Sequence, residues 1–265
     1  QKIKNIKVKL LVKKGDLVKN GTPLFFDKRN VKALFVSSCS GIIKKIVLGP
    51  KRTVVSIEIE NDFKNEHENL DNNISKDNLL KSGLWTYLRG KPFSKIPDST
   101  SSPKSIFISA MPTEPFALDT SFLFDSFNHL QLGVDVLKKI FNCNIIMSVS
   151  DDVFNSLENV DFYNFNKLHP SGNVGIQMHH IDPIKNSSDL RFYLSVQDLN
   201  RIGHFFKTGL YPNSRYFSVG GNASVEPAIY KTIIGTPLSH LQHISSNANM
   251  RIISGDVLSG KEIDI

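Results

Sequence analysis

Apolar and polar residues alternate through the first sixty positions. The run "IKVKLLVKKGDLVKNGTPLFF" sets apolar residues between lysines, with Gly15-Asp16 and Asn20-Gly21 as turn signals. "ALFVSSCSGIIKKIVLG" and "RTVVSIEIE" continue it, the second with period two at Val55, Ile57 and Ile59. Short strands follow, and a small all-β module over 1–60. Residues 61–78, "NDFKNEHENLDNNISKDN", are polar and Asn-rich and read as a linker. In "LLKSGLWTYLRGKPFSKIP", Leu80, Leu84 and Leu88 recur every four residues. That spacing predicts a short helix with one apolar stripe, ended by Pro92. With the loop Pro97–Pro103, the interval 61–103 is linker and amphipathic helix.

From Lys104 the texture changes. "SIFISAM" and "NIIMSVS" predict buried strands, and Thr120–Phe141 between them has helical spacing. "VGIQMHHID" reads as another strand. Ser195 and Asp198 form a capping box ahead of "VQDLNRIGHFFKTG", and Gly209 supplies the C-cap. Alternating strands and helices predict an α/β layer over 104–212. From Ser214, "RYFSVGG" and "AIYKTII" flank a turn, and "GTPLSHLQHI" starts a helix with Thr236 as N-cap and Pro237 at the first helical position. Hairpin followed by helix predicts a β-grasp-like unit over 213–265, incomplete at its end. The fold class expected is multi-domain α/β.

Composition narrows the function classes. Hydrophobic residues make up 40% of the 265 positions, too many for a disordered chain. No apolar run approaches the roughly 18–20 residues of a membrane span, and no signal-peptide pattern opens the chain. It begins with Gln1 and not Met, as expected of a piece of a longer protein. Cys39 and Cys143 form no CxxC, so buried free thiols in a reducing compartment are expected. The net charge of +7 is uneven: residues 1–52 carry fourteen Lys or Arg against Asp16 and Asp27, a balance of +12, which leaves −5 for the remainder. Such a basic module favours an acidic protein surface, anionic lipid or nucleic acid. Its aromatics are only Phe25, Phe26 and Phe35, too few for a nucleic-acid stacking platform, so no nucleic acid is expected.

Three features could carry chemistry. Lys14–Val18 and Ser37–Ile42 are the two halves of a barrel-sandwich module of the lipoyl or biotinyl type, which places Lys28 near the modified lysine of carrier proteins. Arg29 follows it, however, where a small residue belongs, so an unmodified scaffold is expected. His169, His179 and His180 with Asp182 could suggest a metal, but "HPSGN" reads as a turn and adjacent histidines on a strand face opposite ways, so no metal site is expected. "FLFDSF" (Phe122–Phe127) and "FYNF" (Phe162–Phe165) could line a groove for a quinone ring, though core packing is the commoner use. Neither GxSxG nor GxGxxG occurs.

"VKKGDLVKNGTPLF", "SGLWTYLRGKPFSKIP", "HPSGNVG", "QDLNRIGHFFKTGLY" and "RIISGDVLSG" stand in this order. Together they resemble the A subunits of the sodium-translocating NADH:quinone oxidoreductase, the bacterial respiratory sodium pump, over nearly the whole chain. The resemblance implies a barrel-sandwich module, a Rossmann-like α/β domain similar to the flavoprotein subunit of complex I, and a β-grasp-like unit of the SLBB type, with flanking segments absent at both ends. It implies a chain peripheral to the cytoplasmic side of the inner membrane, docked on the membrane-embedded B subunit of a six-subunit pump that passes electrons from NADH to a quinone and exports Na+. The complex I relatives carry a glycine-dense flavin loop, "SGLRGRGGAGFPTG"; here Ser82–Phe93 stands in its place. Trp85, Arg89, Lys91, Pro92 and Phe93 then mark a degenerate flavin position. No cofactor is expected in this chain, FMN and Fe–S clusters belong to partner subunits, and a quinone is the candidate ligand. No catalytic residue is expected. The alternative is a lipoyl- or biotinyl-type carrier modified on Lys28.

Overall fold

The structure is a computed structural model and describes residues 6–222, 228–240 and 251–263. The alternating N-terminal sequence forms the strands β1 (Val8–Leu10), β2 (Leu17–Val18), β3 (Pro23–Asp27), β4 (Asn30–Val36), β5 (Gly41–Leu48) and β6 (Val54–Asn61). They make two antiparallel sheets, ordered β1-β3-β4 and β2-β5-β6. Period two sends one face inward, where Val18, Leu24 and Ile43 form a small core flanked by Phe25, Ile46, Ile57 and Ile59. The lysines between them face water; Lys44, Lys45, Lys51 and Arg52 are all exposed.

The second unit contains α1 (Lys76–Lys81), β7 (Arg89–Lys91), β8 (Ser105–Ser109), α2 (Phe127–Phe141), β9 (Asn144–Val149), β10 (Asp161–Asn164), α3 (Val174–Ile181), β11 (Arg191–Ser195) and α4 (Val196–Thr208). Its sheet is ordered β10-β9-β8-β11-β7, parallel except for β7 at the edge. The apolar runs "SIFIS" and "NIIMSV" are buried on both faces, as central parallel strands require. Helices α2 and α4 cover one face with Leu130, Val134, Leu137, Leu199, Ile202 and Phe205. They touch at Gly203, where a Cβ would lie 1.7 Å from the His129 carbonyl oxygen. Helix α3 covers the other face, with Val174 and Met178 on Phe107 and Ile146.

Three expectations are corrected here. "VGIQMHHID" is helix α3 and not a strand. Its buried Val174 and Met178 and half-buried Ile181 are spaced four and three apart, a helical stripe hidden in a short segment. The stripe of Leu80, Leu84 and Leu88 is not one helix. Helix α1 stops at Lys81, Gly83 turns the chain at φ +79, and Leu84–Tyr87 is a 3-10 turn leading into β7. All three leucines are buried, so the spacing reported burial and not continuous helix. Likewise the helix expected from Thr120 begins as a 3-10 segment, Ser121–Ser126, before α2.

Residues 61–103 form a seam and not a free connector. The Asn20 amide donates to the Glu66 carbonyl (2.8 Å), and the Glu68 amide donates back to Asn20 (2.9 Å). Leu70 and Ile74 pack on the main core, which also buries Ala33 of β4. Gly83 lies against Val36, whose Cγ2 would stand 2.8 Å from an added Cβ. The Pro97 carbonyl accepts two bonds, from the Trp85 indole (2.9 Å) and from Asn30 Nδ2 at the start of β4 (2.8 Å).

The last unit holds the hairpin of β12 (Ser214–Val219) with β13 (Ala228–Ile233) and that of β14 (Ile252–Ser254) with β15 (Lys261–Ile263). The helix expected after Thr236 shows only a 3-10 turn, Leu238–His240; residues 241–250 lie outside the described residues. Among the described residues no helix is long and apolar enough to cross a membrane.

Candidate functional site

The parallel strands β8 and β11 end at Ser109 and Ser195, and beyond them opens a cleft of about 590 Å³. Open α/β sheets bind ligands at this edge, because the loops diverge there and helix N-termini point in. Strand β7 contributes Arg89 and Lys91, β12 contributes Arg215, and the first turn of α3 closes one side. Asp198 is buried on the floor. It accepts hydrogen bonds from Ser195 Oγ (2.7 Å), Arg215 Nη1 (3.3 Å) and Arg201 Nη1 (3.4 Å). Arg201 in turn stacks on Tyr87, its Cζ 4.1 Å from the ring centre, and donates to the Pro212 carbonyl. The remaining acid in the lining is Glu114. Arg89 is half-buried; its Nη1 donates to the carbonyls of Thr86 (2.6 Å) and Leu88 (2.8 Å), and burial lowers its pKa from the ordinary value.

Comparison with known proteins accounts for the three units. Residues 1–62 match the NqrA N-terminal barrel-sandwich hybrid domain, residues 70–211 the NqrA second alpha/beta domain, and residues 217–264 the NqrA C-terminal domain of the SLBB type. The chain belongs to the NqrA family. Similar proteins include the A subunit of the Na(+)-translocating NADH-quinone reductase from Haemophilus influenzae (strain 86-028NP), 36% identical over 266 residues. Its counterparts in Actinobacillus pleuropneumoniae serotype 5b (strain L20) and Histophilus somni (strain 2336) are each 34% identical. Every one of these alignments covers 94% of this chain and 59% of the relative, so the chain spans about three-fifths of their length. Among solved structures, the NAD+-reducing [NiFe]-hydrogenase in its H2-reduced state aligns with a TM-score of 0.47 and 13% identity, over 63% of this chain and 38% of that one.

In this NqrA chain the residues singled out from sequence are dispersed. Trp85 packs inside the main core. It is fully buried, between Phe141 (ring centres 5.7 Å apart) and Phe192 (6.3 Å), under the ammonium of Lys76 (5.2 Å). Only Arg89 and Lys91 enter the cleft; Pro92 is exposed, and Phe93 points outward at 65% exposure beside Lys95. "FLFDSF" and "FYNF" form no groove: Phe122, Phe124, Phe127 and Phe162 pack against the main core. Cys39 and Cys143 are free and half-buried rather than buried, and burial raises the Cys143 thiol to about 11.

The histidines do not converge either. His179 and His180 are exposed neighbours on helix α3, so the strand argument for their opposite faces does not hold. His169 is exposed in the turn beside Thr113. Asp182 is committed to Arg191, Lys104 and Ser105. Among the described residues no three of His, Cys, Asp and Glu are grouped to hold a metal.

Lys28 does occupy an exposed hairpin tip between β3 and β4. Beside it, Asp27 binds the Arg29 guanidinium at 2.9 and 3.2 Å and accepts the Lys7 amide, so the tip carries a clamped, bulky cation. The intact mass of the full-length chain, isolated from its source, is therefore expected to match the unmodified polypeptide. A lipoyl or biotinyl increment on Lys28 would favour the carrier reading.

Sequence reasoning missed most of the cleft. Ser195 and Asp198 were visible as a capping box, but nothing local shows that Asp198 also gathers Arg201 and Arg215. The one available signal was Asp198 and Arg201 at i and i+3 on a helix, a spacing that juxtaposes side chains.

Proposed function

We propose that this chain is the cofactor-free, peripheral part of a sodium-translocating NADH:quinone oxidoreductase, supporting electron transfer from NADH to quinone coupled to Na+ export. In this reading it docks on the membrane-embedded B subunit from the cytoplasmic side and covers the quinone site, while FMN and Fe–S clusters reside in partner subunits. Family membership supports the assignment to the pump.

The observation that carries the cofactor-free role is the chemistry of Thr86–Phe93. A flavin loop exposes backbone amides, which glycines allow to approach the ring and its phosphate. Here Arg89 folds back onto the Thr86 and Leu88 carbonyls, Tyr87 is held against Arg201, and Pro92 has no N–H to offer. These residues do not fit a flavin ring. The basic barrel-sandwich face supports docking: exposed Leu17, Leu48 and Val55 lie on the module that also exposes Lys44, Lys45, Lys51 and Arg52, a mix suited to an acidic surface with an apolar centre.

The test is copurification of the tagged full-length chain from detergent-solubilised membranes. The expected result is a flavin-bearing complex that includes a membrane-embedded partner, from which this chain separates colourless. A chain that emerges alone, or that carries the flavin itself, would overturn the reading.

A further inference from the structure

We infer that the cleft at the ends of β8 and β11 binds a phosphorylated small molecule, with Arg89, Lys91 and the first amides of α3 gathered on its phosphoryl group.

The argument starts from Arg89. A half-buried guanidinium facing a cavity keeps partial contact with water and binds an anion there more strongly than a fully exposed one would. Asp198, already held by Arg201 and Arg215, acts on Arg89 only beyond salt-bridge range, so among the described residues Arg89 has no ion pair. Its Nη1 is used by two carbonyls, and no acceptor meets its Nε or Nη2. The group lines a cavity and not the apolar core, so an occupant of the cavity can supply what the fold does not.

Lys91 lies two residues further along β7, a spacing that puts both side chains on one face of the strand. It has no ion-pair partner among the described residues. Its Nζ lies 5.6 Å from the centre of the Tyr193 ring and 3.7 Å from where a Cβ on Gly175 would stand. That places the ammonium over the first turn of α3. There the amides of Val174 and Gly175 find no acceptor among the described residues, and the Asn173 side chain makes no cap. Two cations and two unused amides thus face one space.

The acids nearby do not cancel them. Asp198 is already matched by Arg201 and Arg215, which leaves Glu114 as the one uncommitted carboxylate in the lining. A dianion suits this set better than a carboxylate, since its several oxygens can meet a guanidinium, an ammonium and amides together. The volume of about 590 Å³ falls within the usual range for small-molecule sites, and Tyr193, beside Lys91, lies in the lining.

Calorimetric titration of the full-length protein tests this with three probes: AMP, inorganic phosphate and adenosine. AMP is expected to bind saturably, phosphate more weakly, and adenosine not at all. Arg89→Gln and Lys91→Gln are each expected to weaken AMP at least tenfold, while Lys139→Gln, on the exposed end of α2, leaves it unchanged. Lys91 makes no ion pair, so Lys91→Gln remains informative if the Arg89 variant fails to fold. Absence of saturable binding by both AMP and phosphate would overturn the inference. So would adenosine binding as tightly as AMP, or an AMP affinity indifferent to both cleft substitutions, which would place the anion on the basic N-terminal module.

Discussion

Trp85→Ala is expected to lower the unfolding free energy by about 3–5 kcal/mol, the usual cost of emptying a large aromatic site in a closed core. The indole is fully buried against Phe141 and Phe192, and its Nε1 donates to the Pro97 carbonyl. A loss of that size is a large fraction of a typical domain's total stability of about 5–15 kcal/mol. Trp85→Phe keeps most of the volume and forfeits the hydrogen bond, so it should cost less, about 1–2 kcal/mol. Trp85 is the only tryptophan, so the urea midpoint must be read by far-ultraviolet circular dichroism and not by fluorescence. A midpoint unmoved by the alanine would mean that the ring is not buried in the core.

The second large effect concerns Arg191, whose side chain is fully buried at the start of β11. It donates Nε and Nη2 to Asp182 (2.6 and 2.8 Å) and Nη1 to Asp189 (2.5 Å). Removing one member of a buried pair leaves the others uncompensated, at about 3–5 kcal/mol. Both aspartates keep some contact with solvent, 22% and 20%, so Arg191→Met is expected near the lower end of that range.

The same pair predicts an acid response. The hydrogen bond from Arg191, aided by Ser105 and Lys104 and opposed by burial, holds the Asp182 carboxyl at about 2, below its ordinary 3.8. A carboxyl whose pKa is depressed by folding stabilises the fold above the unfolded value and loses that contribution on acidification. Asp182 should therefore contribute about 2 kcal/mol at neutral pH, lost between about pH 4 and pH 2. Thermal melts at pH 6 and pH 3 should show a smaller acid decrement in Arg191→Met than in the unaltered chain. Equal decrements would remove the pair as the cause.

Long, regular patterns were legible. The barrel-sandwich strands announced themselves by period two, β8 and β9 by unbroken apolar runs, and α4 by Ser195 and Gly209 at its ends. The resemblance of five motifs to one family anticipated all three units. Patterns short enough to satisfy two periods were not legible. Helix α3 has eight residues, and its four-and-three spacing is lost beside a pair of histidines. The leucine stripe around Trp85 was real as burial, but Gly83 broke the helix that the stripe implied. The cleft was hidden for a different reason. Arg89, Asn173, Asp198 and Arg215 come from four segments brought together only by tertiary packing, and such packing cannot be read from local periodicity.

The Pro97 carbonyl, shared by the Trp85 indole and Asn30, bears on how the N-terminal module could move. Carrier domains work by travelling: a flexible hinge lets the lysine at their tip visit distant partners. Here Asn30, near that tip, is bonded to the body through Pro97 and also accepts the Ser99 amide (3.0 Å). A swing would break these bonds, part Val36 from Gly83 and uncover Ala33. Lys28 has the reach of its own side chain and no more, so whatever it meets must be delivered to it.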